Sequence, residues 1–323
     1  MATSKLLFWA ALAHCGRGDA LTAPAAAPAT TPAAKLRAIL ARDGCVAMPC
    51  CYDGISARLV EAQGFDVTFM SGFSVAASRG YPDAGLVSAG EMQDSARVVA
   101  SALRGGTPCI ADGDTGYGNA VNAHRTVRGL AQVGMAGVMI EDQVAPKRCG
   151  HTKVKAVVDR AEAYARVRAA VDAREELRRT TGGDVVIVAR TDANGILGFE
   201  EALERCIEFR RLGADVTFLE APKSLDEMRR YCAGVDGPKL ANMLEGGRTP
   251  ILPLAQLADL GFKLAAYPLS LLSTSTRAMQ LTLAKLHAGE ELSTSTDILP
   301  FDELCDAVGF NEYWDEEQKY TGV

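Results

Sequence analysis

The sequence predicts an α/β chain folded as a (β/α)8 barrel, and three observations carry that expectation. Short apolar runs rich in β-branched residues recur eight times between residues 45 and 270, and amphipathic stretches separate them. The runs are nearly continuous in apolar residues rather than alternating, as expected of parallel strands covered on both faces. Glycine falls just past the amphipathic stretches, where a left-handed residue ends a helix. A doubly wound open sheet is the competing arrangement, but no GxGxxG follows the first strand.

In chain order the expected strands are CVAMPCC (45–51), VTFMSG (67–72), CIADGD (109–114) and GVMIEDQ (137–143). VVIVARTD (185–192), VTFLEA (216–221), KLANML (239–244) and FKLAAYPLS (262–270) follow. Between the first two, GISARLVEAQGFD presents Ile55, Leu59, Val60 and Ala62 as an apolar helix face and stops at Gly64. FEEALERCIEFRRLGAD does the same with Ala202, Leu203, Cys206, Ile207 and Phe209, ending at Gly213. The last barrel helix, SLLSTSTRAMQLTLAKLHAG, is apolar on more than one face (Leu271, Leu272, Met279, Leu281, Leu283, Leu286) and needs cover from two sides. Three regions are expected: a targeting or disordered segment over 1–40, the barrel over 41–290, and a C-terminal helical extension over 291–323.

The first region stands apart in composition. LLFWAALA is a short apolar run behind Lys5, an Ala/Pro/Thr-rich stretch follows, and no acidic residue lies between Asp19 and Asp43. This pattern suits a targeting segment for an organelle, a plastid or mitochondrion. A disordered Ala/Pro tail on a cytoplasmic protein is the alternative. Of the whole chain of 323 residues, 48% are hydrophobic and 23% charged, with a net charge of −6. No basic stripe with interleaved aromatics offers a nucleic-acid surface, and no apolar run reaches membrane-spanning length. The nine cysteines are scattered, with no zinc-type CxxC pair, which favours a reducing compartment.

In such barrels, function gathers at the C-terminal ends of the strands. Here those ends carry Ser71-Gly72, Asp112 and Asp114, Glu141 and Asp142, Arg190 and Asp192, Glu220, and Asn242. A single Asp after a strand is usually a helix cap, but six strands ending on polar groups converge on one mouth. Asp112, Asp114 and Glu141 form a hard-oxygen set suited to Mg2+, with Mn2+ as a substitute. No His or Cys stands beside them to favour Zn2+. Arg190 offers a fork for a substrate carboxylate, and the Ser71 and Gly72 backbone amides could hold another anionic oxygen. Together they suit a small oxo- or hydroxy-acid. Above this mouth lies EDQVAPKRCGH, a loop that sets Cys149 between the cations Lys147 and Arg148 and the pair Gly150-His151. Cationic neighbours lower a thiol pKa, and a Cys so placed is a candidate acid or base. A half-buried Cys in a basic surface loop is the plainer alternative.

Six segments carry a resemblance, in order: SGFSVAASRGYPDAGL, DGDTGYG, EDQVAPKRCGH, ARTDA, FLEAP and NMLEGGRTP. From about Cys45 to Lys285 the chain resembles the isocitrate lyase/phosphoenolpyruvate mutase superfamily, in particular its lyase branch of 2-alkylmalate, oxaloacetate and 2-methylisocitrate enzymes. The resemblance implies Mg2+ at Asp112, Asp114 and Glu141, partly through waters, with Asp83 near the metal. It implies substrate contacts from Ser71, Gly72, Phe73, Gly150, Arg190 and Asn242, and support from Glu220 behind them. It implies that KRCGH is a mobile gating loop whose Cys149 is the acid/base, with Lys147 and Arg148 stabilising its thiolate and His151 steering the carboxylate. It further implies a homotetramer, a dimer of dimers with the last barrel helix swapped between subunits.

The expected chemistry is cleavage of the C2–C3 bond of a 2-hydroxy acid, with Mg2+ stabilising charge on the hydroxyl oxygen. Cys149 protonates the departing enolate as the loop closes. The phosphonate mutases lack the thiol motif, which weighs against P–C chemistry. Where 2-methylisocitrate lyases carry an Arg for a third carboxylate, this chain has Ser273, with Arg277 one turn later. Dicarboxylates are therefore expected as substrates. A Tyr that precedes the Ser-Gly pair in some lyases is Phe69 here, leaving the general base open between Asp83 and a metal-bound hydroxyl. The alternatives are a hydrolase releasing oxalate and acetate from oxaloacetate, a 2-methylisocitrate lyase, a carboxyvinyl-carboxyphosphonate phosphorylmutase-like enzyme and a degenerate, non-catalytic barrel. A Schiff-base aldolase needs a Lys ending a barrel strand, and none is found.

Overall fold

All eight apolar runs form parallel strands in the computed structural model of the protein, which describes residues 30–150, 156–292 and 298–321. They are β1 (Val46–Cys51), β2 (Thr68–Met70), β3 (Cys109–Asp112), β4 (Gly137–Glu141), β5 (Val186–Thr191), β6 (Val216–Leu219), β7 (Leu240–Asn242) and β8 (Leu264–Tyr267). Their order is β6-β5-β4-β3-β2-β1-β8-β7. A parallel bridge between Thr217 and Lys239, with Thr217 N–H donating to Pro238 O at 3.1 Å, brings β6 onto β7 and closes the barrel. All strands but the first end before the predicted run does, because the polar residues there have already turned into the C-terminal loops.

The helices are α1 (Pro32–Ala41), α2 (Gly54–Ala62), α3 (Gly72–Ser78), α4 (Ala89–Ala102), α5 (Ala120–Gln132) and α6 (Arg160–Thr181). After them come α7 (Phe199–Arg211), α8 (Leu225–Gly234), α9 (Leu254–Leu260), α10 (Ser270–His287), α11 (Phe301–Val308) and α12 (Phe310–Thr321). Polar caps start several of them: Asp53 and Ser88 form capping boxes at α2 and α4.

One cluster of apolar side chains fills the barrel. Leu36 and Ile39 of α1 join Met48, Ile110, Val186 and Leu264 in one interior cluster. The fold thus begins at α1, ahead of the expected barrel start at residue 41. Thr31 caps that helix, accepting from Ala34 N–H, and Arg37 ties it to Asp184 and Asp215 near the starts of β5 and β6. Residues 1–29, which carry most of the targeting pattern, lie outside the described residues. Among the described residues no helix is long and apolar enough to cross a membrane.

Two helix faces differ from the sequence expectation. On α2 the buried residues are Ser56, Ala57 and Val60, while Ile55 and Leu59 are exposed. On α7 the charged Arg205 is buried and Ile207 is exposed. The reason is a partner that periodicity does not reveal, because Arg205 reaches an acid at the end of β4. Helix α10 has no buried residue in the isolated chain. Met279, Leu281, Leu283 and Leu286 are all exposed on it.

Candidate active site

Part of the barrel interior is also the floor of a cleft. Cys50, Phe69, Met139, Phe218, Leu240 and Ala266 line it from below, and polar groups on the strand ends form its walls. The cleft measures about 620 Å3 and opens to solvent. Of the sequence-predicted residues it brings together Ser71, Phe73, Asp83, Asp112, Lys147, Arg148, Cys149, Gly150, Arg190, Glu220 and Asn242. His151 lies outside the described residues.

The acids come from β3 and β4. Asp112 ends β3, and its Oδ1 accepts from Asp114 N–H at 3.0 Å while its Oδ2 accepts from Gly72 N–H at 3.1 Å. A Cβ on Gly72 would lie 2.6 Å from Asp112 Oδ2, so only glycine lets this acid approach the start of α3. Asp114 has a left-handed backbone, and Tyr117, also left-handed, donates its hydroxyl to Asp114 Oδ2 at 3.0 Å. Non-glycine residues held in that region are a mark of functional loops. Burial, reinforced by the charge of Asp114, pushes Asp112 up to about 6. Burial likewise raises Glu141 despite the nearby Arg190. These acids repel one another in a place that favours a cation.

Lys147 provides one. Its ammonium is buried, pairs with Asp83 and lies 2.8 Å from Asp114 Oδ1 as an ion pair without hydrogen-bond alignment. Burial alone would lower its pKa, but Asp114, Asp112, Asp83 and Glu141 outweigh that and raise it. The expectation that Lys147 stabilises a Cys149 thiolate therefore needs correction, because its charge is already matched by carboxylates. Asp83 is committed to Lys147, so its placement does not favour it as the general base. The Ser71 and Gly72 amides are also engaged inside the chain: Ser71 N–H donates to Cys51 O at 3.1 Å, and Gly72 N–H to Asp112. In this conformation they hold the site together rather than present donors to an anion.

Arg190, on β5, is held by three acids. Its Nε lies 2.8 Å from Asp192 Oδ2 and 3.3 Å from Glu141 Oε2, and its Nη2 lies 3.0 Å from Glu220 Oε2. The guanidinium also stands over the Phe218 ring, 5.2 Å from its centre. Asn242 Nδ2 is 3.3 Å from Glu220 Oε1, so Glu220 contacts both Arg190 and Asn242. The Cys149 loop leans onto this group, and a Cβ on Gly150 would meet Arg190 Nη2 at 2.6 Å.

Several supports behind the site have no signal in single-residue pattern reading. Asp142, at the end of β4, is not a cleft residue. It accepts from Thr191 Oγ1 at 2.6 Å, Asp192 N–H at 2.9 Å and Arg205 Nη1 at 2.9 Å. Gln143 and Arg166 brace the base of the Cys149 loop. The run of polar residues right after β4 hints at Asp142 and Gln143, and nothing local hints at Arg166 on α6.

A barrel mouth that sets buried acids beside an aligned guanidinium and a thiol-bearing loop is the frame of an enzyme. The family model described as phosphoenolpyruvate phosphomutase matches residues 36–287, and the chain belongs to this PEP mutase/isocitrate lyase superfamily. It is similar to 2,3-dimethylmalate lyase of Eubacterium barkeri, 38% identical over 291 residues, 90% of this chain and 98% of the relative. Among solved structures it is similar to oxaloacetate acetylhydrolase in complex with the inhibitor 3,3-difluorooxalacetate. That match has a TM-score of 0.85 and 35% identity, and covers 91% of this chain and 98% of the other. A phosphonopyruvate hydrolase complex with oxalate and Mg2+ matches with a TM-score of 0.78 and 26% identity, covering 90% and 99%.

Proposed function

We propose that the protein is a Mg2+-dependent carbon–carbon lyase that cleaves 2-hydroxy dicarboxylates of the 2-alkylmalate type into an oxo acid and a carboxylate. The position of Cys149 carries this reading: it lines the same cleft as Arg190 and Asp112. A strongly basic enolate leaving group needs a nearby acid, and a thiol is one.

The donor set fits a divalent cation. Asp114 Oδ1 and Glu141 Oε1 are buried without a hydrogen-bond donor, and carboxylates suit Mg2+ or Mn2+. Among the described residues no three acidic, His or Cys side chains converge as a direct ligand shell. A Mg2+ ion held here would have to keep several waters and be bound partly through them. Asp112, Asp114 and Glu141 would hold it, and when bound it would supply positive charge against the oxygen where negative charge develops. The similarity to the Mg2+ complex above supports Mg2+ as the ion. The chain's own residues do the rest. Arg190, aligned by Asp192 and Glu220, orients a substrate carboxylate. Asn242 holds a polar substrate oxygen, Lys147 pins the loop to Asp83 and Asp114, and Cys149 delivers the proton.

The substrate class follows from the cleft lining. Neither Ser273 nor Arg277 lines the cleft, and both are exposed on α10. A third carboxylate would meet no cation from α10 of its own chain, and one left unpaired in the cleft would cost several kcal/mol or more. The floor is apolar and suits an alkyl group. Purified protein with Mg2+ should be offered 2-alkylmalates, oxaloacetate, 2-methylisocitrate and isocitrate, reading out glyoxylate, pyruvate and oxalate. Turnover of 2-alkylmalates with poor use of the tricarboxylates is expected. Oxalate and acetate from oxaloacetate would make it the hydrolase, a reading favoured by the likeness to oxaloacetate acetylhydrolase. 2-Methylisocitrate as the best substrate would overturn the dicarboxylate assignment.

The same proposal includes a homotetramer in which α10 is exchanged between neighbouring barrels, since its apolar residues are uncovered in the single chain. A monomer by light scattering at micromolar concentration would contradict it.

A further inference from the structure

We propose that Gln143 is a positioning residue, a side-chain latch that holds the Cys149 loop closed over the cleft. A carboxamide presents a donor and an acceptor side by side, the same pair that a backbone residue offers in a β-ladder. Gln143 uses both on one residue of the loop: Nε2 donates to Arg148 O at 2.8 Å, and Oε1 accepts from Arg148 N–H at 2.9 Å. Arg148 immediately precedes the thiol, so the amide fixes the backbone from which Cys149 projects.

A latch needs a fixed base. Gln143 forms an antiparallel bridge with Val157, flanked by Val144 N–H to Ala156 O and Val158 N–H to Asp142 O, both 2.9 Å. Its carbonyl also accepts from Arg166 Nη1 at 2.8 Å, so α6 anchors it from behind. The backbone of the stem is therefore held without the side chain, and the side chain is left to hold the loop. The amide belongs to a residue only 1% exposed. Lifting Arg148 away gives up both bonds at once, which favours the closed position. The latch stands on these contacts alone, while its effect on turnover rests on the lyase reading above.

The test uses Gln143→Met, close in size but unable to make either bond, in the full-length protein without substrate. Iodoacetamide labelling of Cys149 is followed by peptide mass spectrometry, with Cys45 and Cys232 as internal controls. Losing two ordinary hydrogen bonds should speed Cys149 labelling roughly tenfold or more, leaving the controls and the melting temperature near wild type. Amide exchange over 144–150 should quicken in parallel. With substrate, kcat should fall about tenfold while KM changes less than about threefold, as expected for a misplaced acid. A folded Gln143→Met protein that labels Cys149 at the wild-type rate overturns the latch. If that variant does not fold, Gln143→Asn carries the same test, because it keeps a buried amide one methylene too short to reach Arg148. Faster labelling in a protein that turns over none of the candidate acids would support the latch and remove the lyase reading.

Discussion

Replacing Gly150 with alanine tests whether the observed loop position is the working one. A Cβ there would lie 2.6 Å from Arg190 Nη2, 2.8 Å from Glu220 Cγ and 2.9 Å from Glu220 Cδ, well inside ordinary contact. Neither neighbour yields easily. Arg190 Nη2 is held by Glu220 Oε2 at 3.0 Å and by Asp192 Oδ1 at 3.2 Å, and Glu220 is only 1% exposed. The loop must rise instead, and overpacking of this kind costs about 1–3 kcal/mol, borne only by the closed state. At 1.4 kcal/mol per decade this is roughly 5- to 150-fold in the closed population. A displaced acid loses a comparable factor, since about 1 Å of misplacement can cost on the order of 100-fold. We expect kcat to fall roughly 10- to 100-fold in steady-state assays with Mg2+. The melting temperature should change little, because the clash is confined to the closed position of a surface loop. A Gly150→Ala enzyme with wild-type kcat would refute the assignment of this closed position to catalysis.

Cys149→Ser should lose on the order of 100-fold or more in turnover while substrate binding is nearly kept, measured by kcat and by calorimetric affinity; an active serine variant would return the thiol to a structural part. Arg205→Met leaves Asp142 buried with its charge uncompensated and should destabilise the fold by about 3–5 kcal/mol in urea unfolding. A near-neutral result would mean that Thr191 and the Asp192 amide suffice for that acid. Treatment with EDTA should abolish turnover, and Mg2+ or Mn2+ added back without substrate should raise the melting temperature as any ligand of the folded state does. Equal stability with and without the ion in Asp112→Asn, but not in wild type, would place the ion at these acids.

Much of the fold was legible because a parallel barrel writes itself locally. The eight strands are short, apolar and covered on both faces, so each run declared itself without its neighbours. The residues of the mouth were legible for the same reason, since topology sends every strand end to one face. Local sequence could not decide what each polar group pairs with. Lys147 looked like a partner for a thiol beside it in sequence, yet Coulomb attraction draws its ammonium to Asp83 and Asp114, brought near by the loops after β2 and β3. The Ser71 and Gly72 amides looked available until Cys51 and Asp112 were seen to accept from them. Ile207 was expected in the core, yet it is exposed while Arg205 is buried, because Asp142 waits at the end of β4 for a cation from α7. Helix α1 was assigned to a tail by its Ala/Pro-rich surroundings, although Leu36 and Ile39 join the barrel interior. Periodicity and composition report what a residue offers to water or to a core. Which charge meets which is set by distances between elements far apart in sequence, and only the closed barrel fixes those.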